Sequence, residues 1–536
     1  MSKSLLNHLT RLNNFYLASL LFLITLFCYS NTFWNGLFFD DEHFIYNNQA
    51  VKSFDINNLF GKSLVSGGGK LSNYYRPVLF SGFSIEYQLL KDNGFIYHFD
   101  SFIIHTAGGI VLFLLLLKLF KNKSLSFLTA LLFLIHPVQT EAVAYISGRG
   151  DPLSFLFIVL SLYASMTKKM KITILSLVCF ILALLSKEIA LMTPGLIFLV
   201  ILFSQEKLSG NAIKKSIIRT LPYALLAGGY FLLRLTVLNF DNTLNFYKTT
   251  TAYSSSLFVR LSTFFNLLPT YIGLLGFPKN LFMERDEEVQ IITSPTFSSV
   301  LSVLGLMTGV ALGVLKRKTS PVILFSFLWI GITFIPTSGI IPINGIFYEH
   351  FLYFPSVGFF LLFSFIWLWL YRKSPQKLIF CLDFLLVIII LLLSLRTIAR
   401  NGEWHDPITF YNQTLSHVQS PRAYNNLAMV YAENGDNKNA IANYKKAIKL
   451  QDTYAESHYN LGNSYFALND TMSAEAEYKA ALKIDPAFYL AYIKLFSMYK
   501  ITQNQQGIGF VETGLKQLGT YNPQFLDLLK QLKKTP

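Results

Sequence analysis

Cysteine is scarce: the 536 residues include three, Cys28, Cys179 and Cys381, and all lie inside apolar runs. They supply neither a disulfide framework nor a zinc spacing, so they leave the redox compartment open. Charge is scarce as well, 14% of residues against 52% hydrophobic, which excludes a string of ordinary soluble domains. Acidic residues number 30 against 45 basic ones, a net charge of +15. The excess does not point to nucleic acid, because it falls in short clusters between apolar runs, where basic residues orient a membrane protein. A cleavable leader is not expected, since Trp34, Phe38 and Phe39 follow the first apolar run where small residues would be needed. Gly67-Gly68-Gly69 lacks the lysine-serine pair and the strand that would make it a phosphate loop.

What remains is lipid-soluble. Runs such as 15–34, 102–120 and 378–395 are long enough to cross a bilayer core as helices, the form in which a chain satisfies its own backbone in lipid. Lys3 and Arg11 put the N-terminus inside and the loop 35–101 outside. Lys118, Lys121 and Lys123 mark an inside turn, as do Lys168, Lys169 and Lys171, then Lys207, Lys214, Lys215 and Arg219. Alternation fails at 256–276. If that segment crossed, the acids at 284–288 would lie inside and the basic cluster at 316–318 outside. Treating it as re-entrant or interfacial, in keeping with Arg260, Asn266 and Pro269, restores the cluster and Arg372, Lys373 and Lys377 to the inside. Eleven spans and an external C-terminus are expected.

After Pro421 the composition turns polar and a 34-residue period appears: Tyr424, Leu427, Tyr431, Ala440, Tyr444 and Ala447 recur as His458, Leu461, Tyr465, Ala474, Tyr478 and Ala481. The period and pattern resemble the tetratricopeptide repeat. Each unit would be two antiparallel helices, the alanines admitting close approach and the tyrosines and leucines filling the groove. A third unit keeps Leu495 and Tyr499 but has Ile508 where alanine is expected, and reads as a degenerate cap. The tyrosines are core residues. Stacked repeats form a concave surface for an extended polypeptide.

The outside loop carries the densest cluster of ionisable side chains, Asp40, Asp41, Glu42 and His43, directly after the first span. Such a cluster at a membrane surface is either a wet loop or a working site. The stretch 39–44 resembles the Asp-Glu-x-His-Phe motif of protein O-mannosyltransferases, with Asp41 in place of glutamate. Further matches occur at Tyr75-Arg76-Pro77, His98, His105, His136-Pro137-Val138, Thr140-Glu141-Ala142-Val143, Ser147-Gly148-Arg149, Ser186-Lys187-Glu188, Tyr353, Pro355-Ser356-Val357-Gly358, and Arg400-Asn401 with Trp404 and Asp406. In this order, followed by the repeats, they resemble the transmembrane and tetratricopeptide-repeat-containing mannosyltransferases.

The resemblance implies an all-α chain: a polytopic membrane domain of the C-type glycosyltransferase fold over 1–395 with its external catalytic loop at 35–101, a linker at 396–420 and repeats over 421–536. It also implies a polyprenyl-phosphate sugar donor, with mannose as the sugar, and Ser or Thr hydroxyls of an exported polypeptide as acceptors. No cofactor or metal is called for, and the partners are donor lipid, acceptor polypeptide and bilayer. An inverting displacement needs one base for the acceptor hydroxyl, and Asp40 is the candidate. A lipid phosphate leaves as a stabilised anion, so no acid partner is required. Asp41 is then assigned to orienting Asp40, an acceptor amide or a sugar hydroxyl.

Arg76, Arg149 and Lys187 are candidates for the phosphate; otherwise Arg76 anchors at the interface, Arg149 pairs with Asp151, and Lys187 pairs with Glu188. His43, His98, His105 and His136 are possible substrate contacts or hydrogen-bonded packing residues. Their spacing is not that of a zinc site. Glu349, beside His350 at an external mouth, either contacts the donor head group or caps a span. Two other functions stay open: a transporter or lipid flippase, which would carry ionisable residues at mid-membrane, and a repeat-bearing assembly scaffold, for which one span would suffice. A bacterial plasma membrane is favoured over the endoplasmic reticulum.

Overall fold

The computed structural model describes residues 11–63, 73–167, 169–205, 207–239, 251–340 and 345–534. Lys3, Lys168 and the Gly67-Gly68-Gly69 run lie outside them. The described residues form helices and turns without a strand, in two compact units that divide between Asp406 and Pro407.

The membrane unit contains α1 (Asn14–Tyr29), α2 (Pro77–Leu90), α3 (Gly94–Phe120), α4 (Lys123–Ile135), α5 (Gly150–Ser165), α6 (Met170–Ser186), α7 (Thr193–Phe203), α8 (Gly210–Leu235), α9 (Leu257–Gly276), α10 (Phe297–Leu315), α11 (Pro321–Phe334), α12 (Pro355–Lys373) and α13 (Gln376–Gly402). Among the described residues seven helices are long and apolar enough to cross a membrane, or eight if the pair Lys123–Ile135 and Pro137–Ala144, bent by 53°, is one span. Met170–Ser186, Glu188–Phe203 and Pro321–Thr337 are shorter apolar helices. Their boundaries have local causes. Asn93 caps α3 by accepting from Phe95 N, and Lys121, in the left-handed region at φ 53°, ends it. At Gly313 of α10 an added Cβ would lie 2.7 Å from Leu324 Cα, so glycine permits α10 and α11 to approach closely.

One end of the bundle is basic. Lys123 Nζ donates to Leu12 O (2.8 Å), Lys118 Nζ to Tyr163 O (3.2 Å) and Arg219 to Thr167 O (2.6 Å). These bonds gather the turns at 118–123, 163–169 and the start of α8. The opposite end joins the C-termini of α1, α4 and α13: Asn31 Nδ2 donates to Ile398 O (2.9 Å) and Thr397 Oγ1 to Ile135 O (2.6 Å).

Helix α9 lies across this second end. Arg260 Nε donates to Gly339 O beyond α11 (2.6 Å), Thr263 Oγ1 accepts from Ile292 N (3.0 Å), and Asn266 Oδ1 accepts from Thr296 Oγ1 at the start of α10 (2.7 Å). At its far end Leu275 O meets His136 Nε2 (3.1 Å). Both its termini therefore touch the non-basic end, while by length and hydropathy Leu257–Gly276 is itself one of the seven candidate spans. Against the eleven spans expected, the described helices supply seven of sufficient length and hydropathy, or eight with the bent pair, and Met170–Ser186, Glu188–Phe203 and Pro321–Thr337 are shorter than that.

In the second unit α14 (Pro407–Leu415) precedes three helical hairpins, α15 (Pro421–Glu433) with α16 (Asn437–Leu450), α17 (Ala455–Ala467) with α18 (Thr471–Ile484), and α19 (Tyr489–Ile501) with α20 (Gln505–Gly519); α21 (Gln524–Lys534) follows. The 34-residue period has a backbone cause. Gly435, Asn469 and Gln503 are left-handed at φ 80°, 62° and 53°, and the next residues, Asp436, Asp470 and Asn504, each cap the second helix by accepting from a backbone N–H. Tyr444, Tyr478 and Tyr499 are buried, as are Ala440 and Ala474.

The third unit is a full hairpin. Gly507, one residue before Ile508, supplies the small position, since a Cβ there would lie 2.4 Å from the Tyr499 ring. His458 is held by Glu477 (2.6 Å) and Asp452 (2.8 Å). The stretch 396–420, expected as a linker, is helical over 396–402 as the end of α13 and over Pro407–Leu415 as α14.

Candidate active site

The motif after the first span is folded under local strain. Phe39 adopts φ 62°, a left-handed conformation that a bulky residue takes only where its surroundings enforce it. A π-type turn follows over Glu42–Tyr46, a feature frequent at functional sites. Asp40 stands between the two, half-buried. Its Oδ2 accepts from Tyr145 OH at 2.6 Å. Burial and the neighbouring carboxylates Asp40 and Asp41 hold the Tyr145 phenol well above its ordinary pKa, so at neutral pH it donates to Asp40. The Tyr145 ring stacks on Trp404 at 5.3 Å with 23° between planes.

Asp41 faces the other way. It is buried, and its Oδ1 accepts from Ser147 N (2.8 Å) and from Ser147 Oγ. Burial pushes its pKa up to about 7 against the lowering effect of the Ser147 hydrogen bonds. Asp41 thus ties the 38–41 turn to the α4–α5 connection. His43 is half-buried in the π-type turn.

Arg149 is fully buried. Its NH1 bonds Glu86 (2.6 Å) and Asp100 (3.3 Å), Nε bonds Ser101 Oγ (2.8 Å) and NH2 bonds Tyr97 O (2.6 Å). Its carboxylate partners are Glu86 of α2 and Asp100, where sequence proximity pointed to Asp151. Asp151 instead pairs with Lys187 at 2.7 Å. Glu188, adjacent to Lys187, takes Arg76 through two bonds of 3.0 and 2.6 Å. Arg76 also lies 4.7 Å from the Tyr74 ring centroid. The fold thus brings Arg76, Lys187, Glu188 and Asp151 into one cluster, with Arg234 at the end of α8 bonding Asn73 O beside it. Arg149 stays apart beneath α2.

Three of the candidate histidines, His98, His105 and His136, are buried. His105 Nδ1 meets Tyr353 OH (2.7 Å) and Nε2 meets Leu134 O (3.1 Å). His136 Nδ1 accepts from Val138 N (3.2 Å) while Nε2 reaches α9. His98 is buried beside the Asn35–Gly36 backbone. Glu349 is fully buried between Arg400 (3.2 Å) and Arg285 (3.6 Å). Next to it His350 Nδ1 meets Glu141 Oε1 at 2.7 Å, and Arg400 and Arg396 both bind Glu403. Sequence reasoning singles out Glu349 and names Ser147 and Trp404 without a role, but misses Tyr145 and this network. A signal exists: all but Arg285 and Arg396 fall inside or beside the mannosyltransferase-like motifs. Among the described residues no group of three or more His, Cys, Asp or Glu side chains is arranged for a metal ion.

Family models for the TPR repeat and the tetratricopeptide repeat match residues 428–469 and 455–488. The class is therefore a multi-pass helical membrane protein carrying tetratricopeptide repeats. The chain is similar to a protein O-mannosyl-transferase of Caenorhabditis elegans, 30% identical over 432 residues, which cover 78% of this chain and 60% of that protein. It is 27% identical over 511 residues to protein O-mannosyl-transferase TMTC1 of Homo sapiens (83% and 56% covered) and 26% over 489 residues to human TMTC3 (82% and 52%). Its curated homologues are thus the TMTC protein O-mannosyl-transferases, and the chain spans little more than half their length.

Proposed function

We propose that the protein is a membrane glycosyltransferase that moves mannose from a polyprenyl-phosphate donor to Ser or Thr hydroxyls of an exported polypeptide. The observation that carries the reading is Asp40: a half-buried carboxylate on a strained turn, held through Oδ2 by Tyr145. In the reaction the acceptor oxygen attacks the anomeric carbon from the side opposite the phosphate. The C–O bond to phosphate breaks, the lipid phosphate leaves as an anion, and the hydroxyl proton passes to Asp40. Arg76 and Lys187 face the departing charge from the cluster with Glu188 and Asp151, and the repeats hold the acceptor polypeptide.

The direct test uses purified full-length protein, radiolabelled polyprenyl-phosphate sugars and a Ser/Thr-rich acceptor peptide. Label is expected to move from the mannosyl donor to peptide hydroxyls. Consumption of another sugar lipid, or label ending on a lipid or glycan, would overturn the substrate assignment.

The same reading makes the basic end cytoplasmic, by the positive-inside rule, and leaves the Asp40 end and the repeats extracytoplasmic. Labelling of an introduced cysteine checks this. Met472, in the second hairpin, is 84% exposed. In a background lacking the exposed Cys381, Met472→Cys is expected to react with an impermeant maleimide on intact cells. Reaction only after permeabilisation would invert the orientation.

A further inference from the structure

We propose that Tyr145 is a positioning residue for the base and that Trp404, from beyond the last span, completes the site by fixing Tyr145. The inference rests on Asp40 acting as the base. Trp404 is 1% exposed, wedged against Tyr145 at 5.3 Å and Phe38 at 6.3 Å, with the Arg400 guanidinium 5.9 Å from its ring. Phe39 meets Tyr145 from the other side at 5.9 Å. The same segment is laced by backbone to the approach of the base: Gly36 N donates to His405 O (3.0 Å) and Asn35 Nδ2 to Asn401 O (3.1 Å). Residues 401–405 therefore hold the turn before Asp40 and the ring that binds Asp40.

Proton transfer demands a lone pair aimed within hydrogen-bond reach of the acceptor hydroxyl. A carboxylate on a loop rotates about its side-chain bonds unless something fixes it. Tyr145 engages Oδ2, which leaves Oδ1 for the acceptor. The phenol can hold this aim only while its ring is clamped, and Trp404 is the clamp. The reaction centre is thus assembled from three parts of the chain: the first external loop, the α4–α5 connection and the segment that leaves α13.

Two substitutions separate hydrogen bond from clamp. Tyr145→Phe keeps the stacked ring and deletes the hydroxyl, while Trp404→Leu keeps the hydroxyl and deletes the stack. Steady-state transfer by the full-length protein is expected to show kcat lowered about 10- to 100-fold in each, with donor KM within about twofold, the signature of a lost transition-state interaction. Trp404→Phe is expected to restore most of the loss seen with leucine. The double variant is expected to be no slower than the worse single one, because the two act through one hydrogen bond.

A wild-type kcat in Tyr145→Phe, or losses that multiply in the double variant, would overturn the inference. If Trp404→Leu fails to insert, Tyr145→Phe alone and combined with Trp404→Phe decide the matter. Asp40→Asn serves as the reference: its inactivity beside a normal Tyr145→Phe defeats this inference alone, whereas its full activity defeats the assignment of the base.

Discussion

Asparagine at position 40 is expected to lower transfer by about 10²- to 10⁴-fold, the range that a positioned general base contributes. The exchange is close to isosteric, and the asparagine carbonyl can still accept the Tyr145 hydroxyl that now bonds Asp40 at 2.6 Å. Membrane insertion and the thermal midpoint should stay near wild type, so the loss would read as chemistry. Asp41→Asn supplies the contrast. Asp41 accepts from Ser147, and burial raises its pKa to about 7. A carboxyl whose folded pKa exceeds its unfolded value favours the fold at low pH and loses that contribution as pH rises through the folded pKa. The neutral amide in Asp41→Asn should therefore flatten the loss of stability between about pH 4 and 7 while lowering transfer far less than Asp40→Asn does. If the two variants exchange these phenotypes, Asp41 is the base.

The architecture was legible where one kind of residue dominates a long stretch. Apolar runs mark the helices, and the basic residues at 118–123 and 316–318 argue for 256–276 outside the spanning set, whereas α9 by length and hydropathy qualifies as a span. The repeat period is readable from the recurring Tyr, Leu and Ala positions such as Tyr444 and Tyr478, whereas the left-handed turn at Gly435, Asn469 and Gln503 that sets it is not, because three different residues fill it. The third hairpin is harder to read because its small residue is Gly507, one position before the period places it.

Ion pairing was the illegible part. Neighbours in sequence pointed to Arg149 with Asp151 and Lys187 with Glu188. The helices instead join Arg76 to Glu188 across 112 residues, Lys187 to Asp151 across 36 and Arg149 to Glu86 across 63. Adjacent residues at a span end project in different directions, so each charge meets whichever helix packs on its own side. The Trp404 stack on Tyr145 was hidden for a related reason. It joins a loop near the middle of the membrane unit to the exit of the last helix, and no local pattern encodes that closure.

Alanine at position 149 carries the second large effect, and it falls on stability. Arg149 places every guanidinium nitrogen on a partner: Glu86, Asp100, Ser101 and the Tyr97 carbonyl, with the Phe83 ring 4.9 Å away. Its removal strands Glu86, whose charged form burial disfavours, an effect that Arg149 opposes. Breaking a buried pair from one side costs about 3–5 kcal/mol. The loss should appear as a lowered unfolding midpoint in detergent and as faster proteolysis within 77–100, where α2 loses its attachment to α3. Glu86→Gln in the Arg149→Ala background should recover part of the deficit, because a neutral amide tolerates burial better than an unpaired carboxylate. A stable Arg149→Ala protein with a raised donor KM would point the opposite way. It would mean that the guanidinium leaves these partners for the phosphate of the donor, and that the anchor of the external loop must be sought at Arg76 and Glu188 instead.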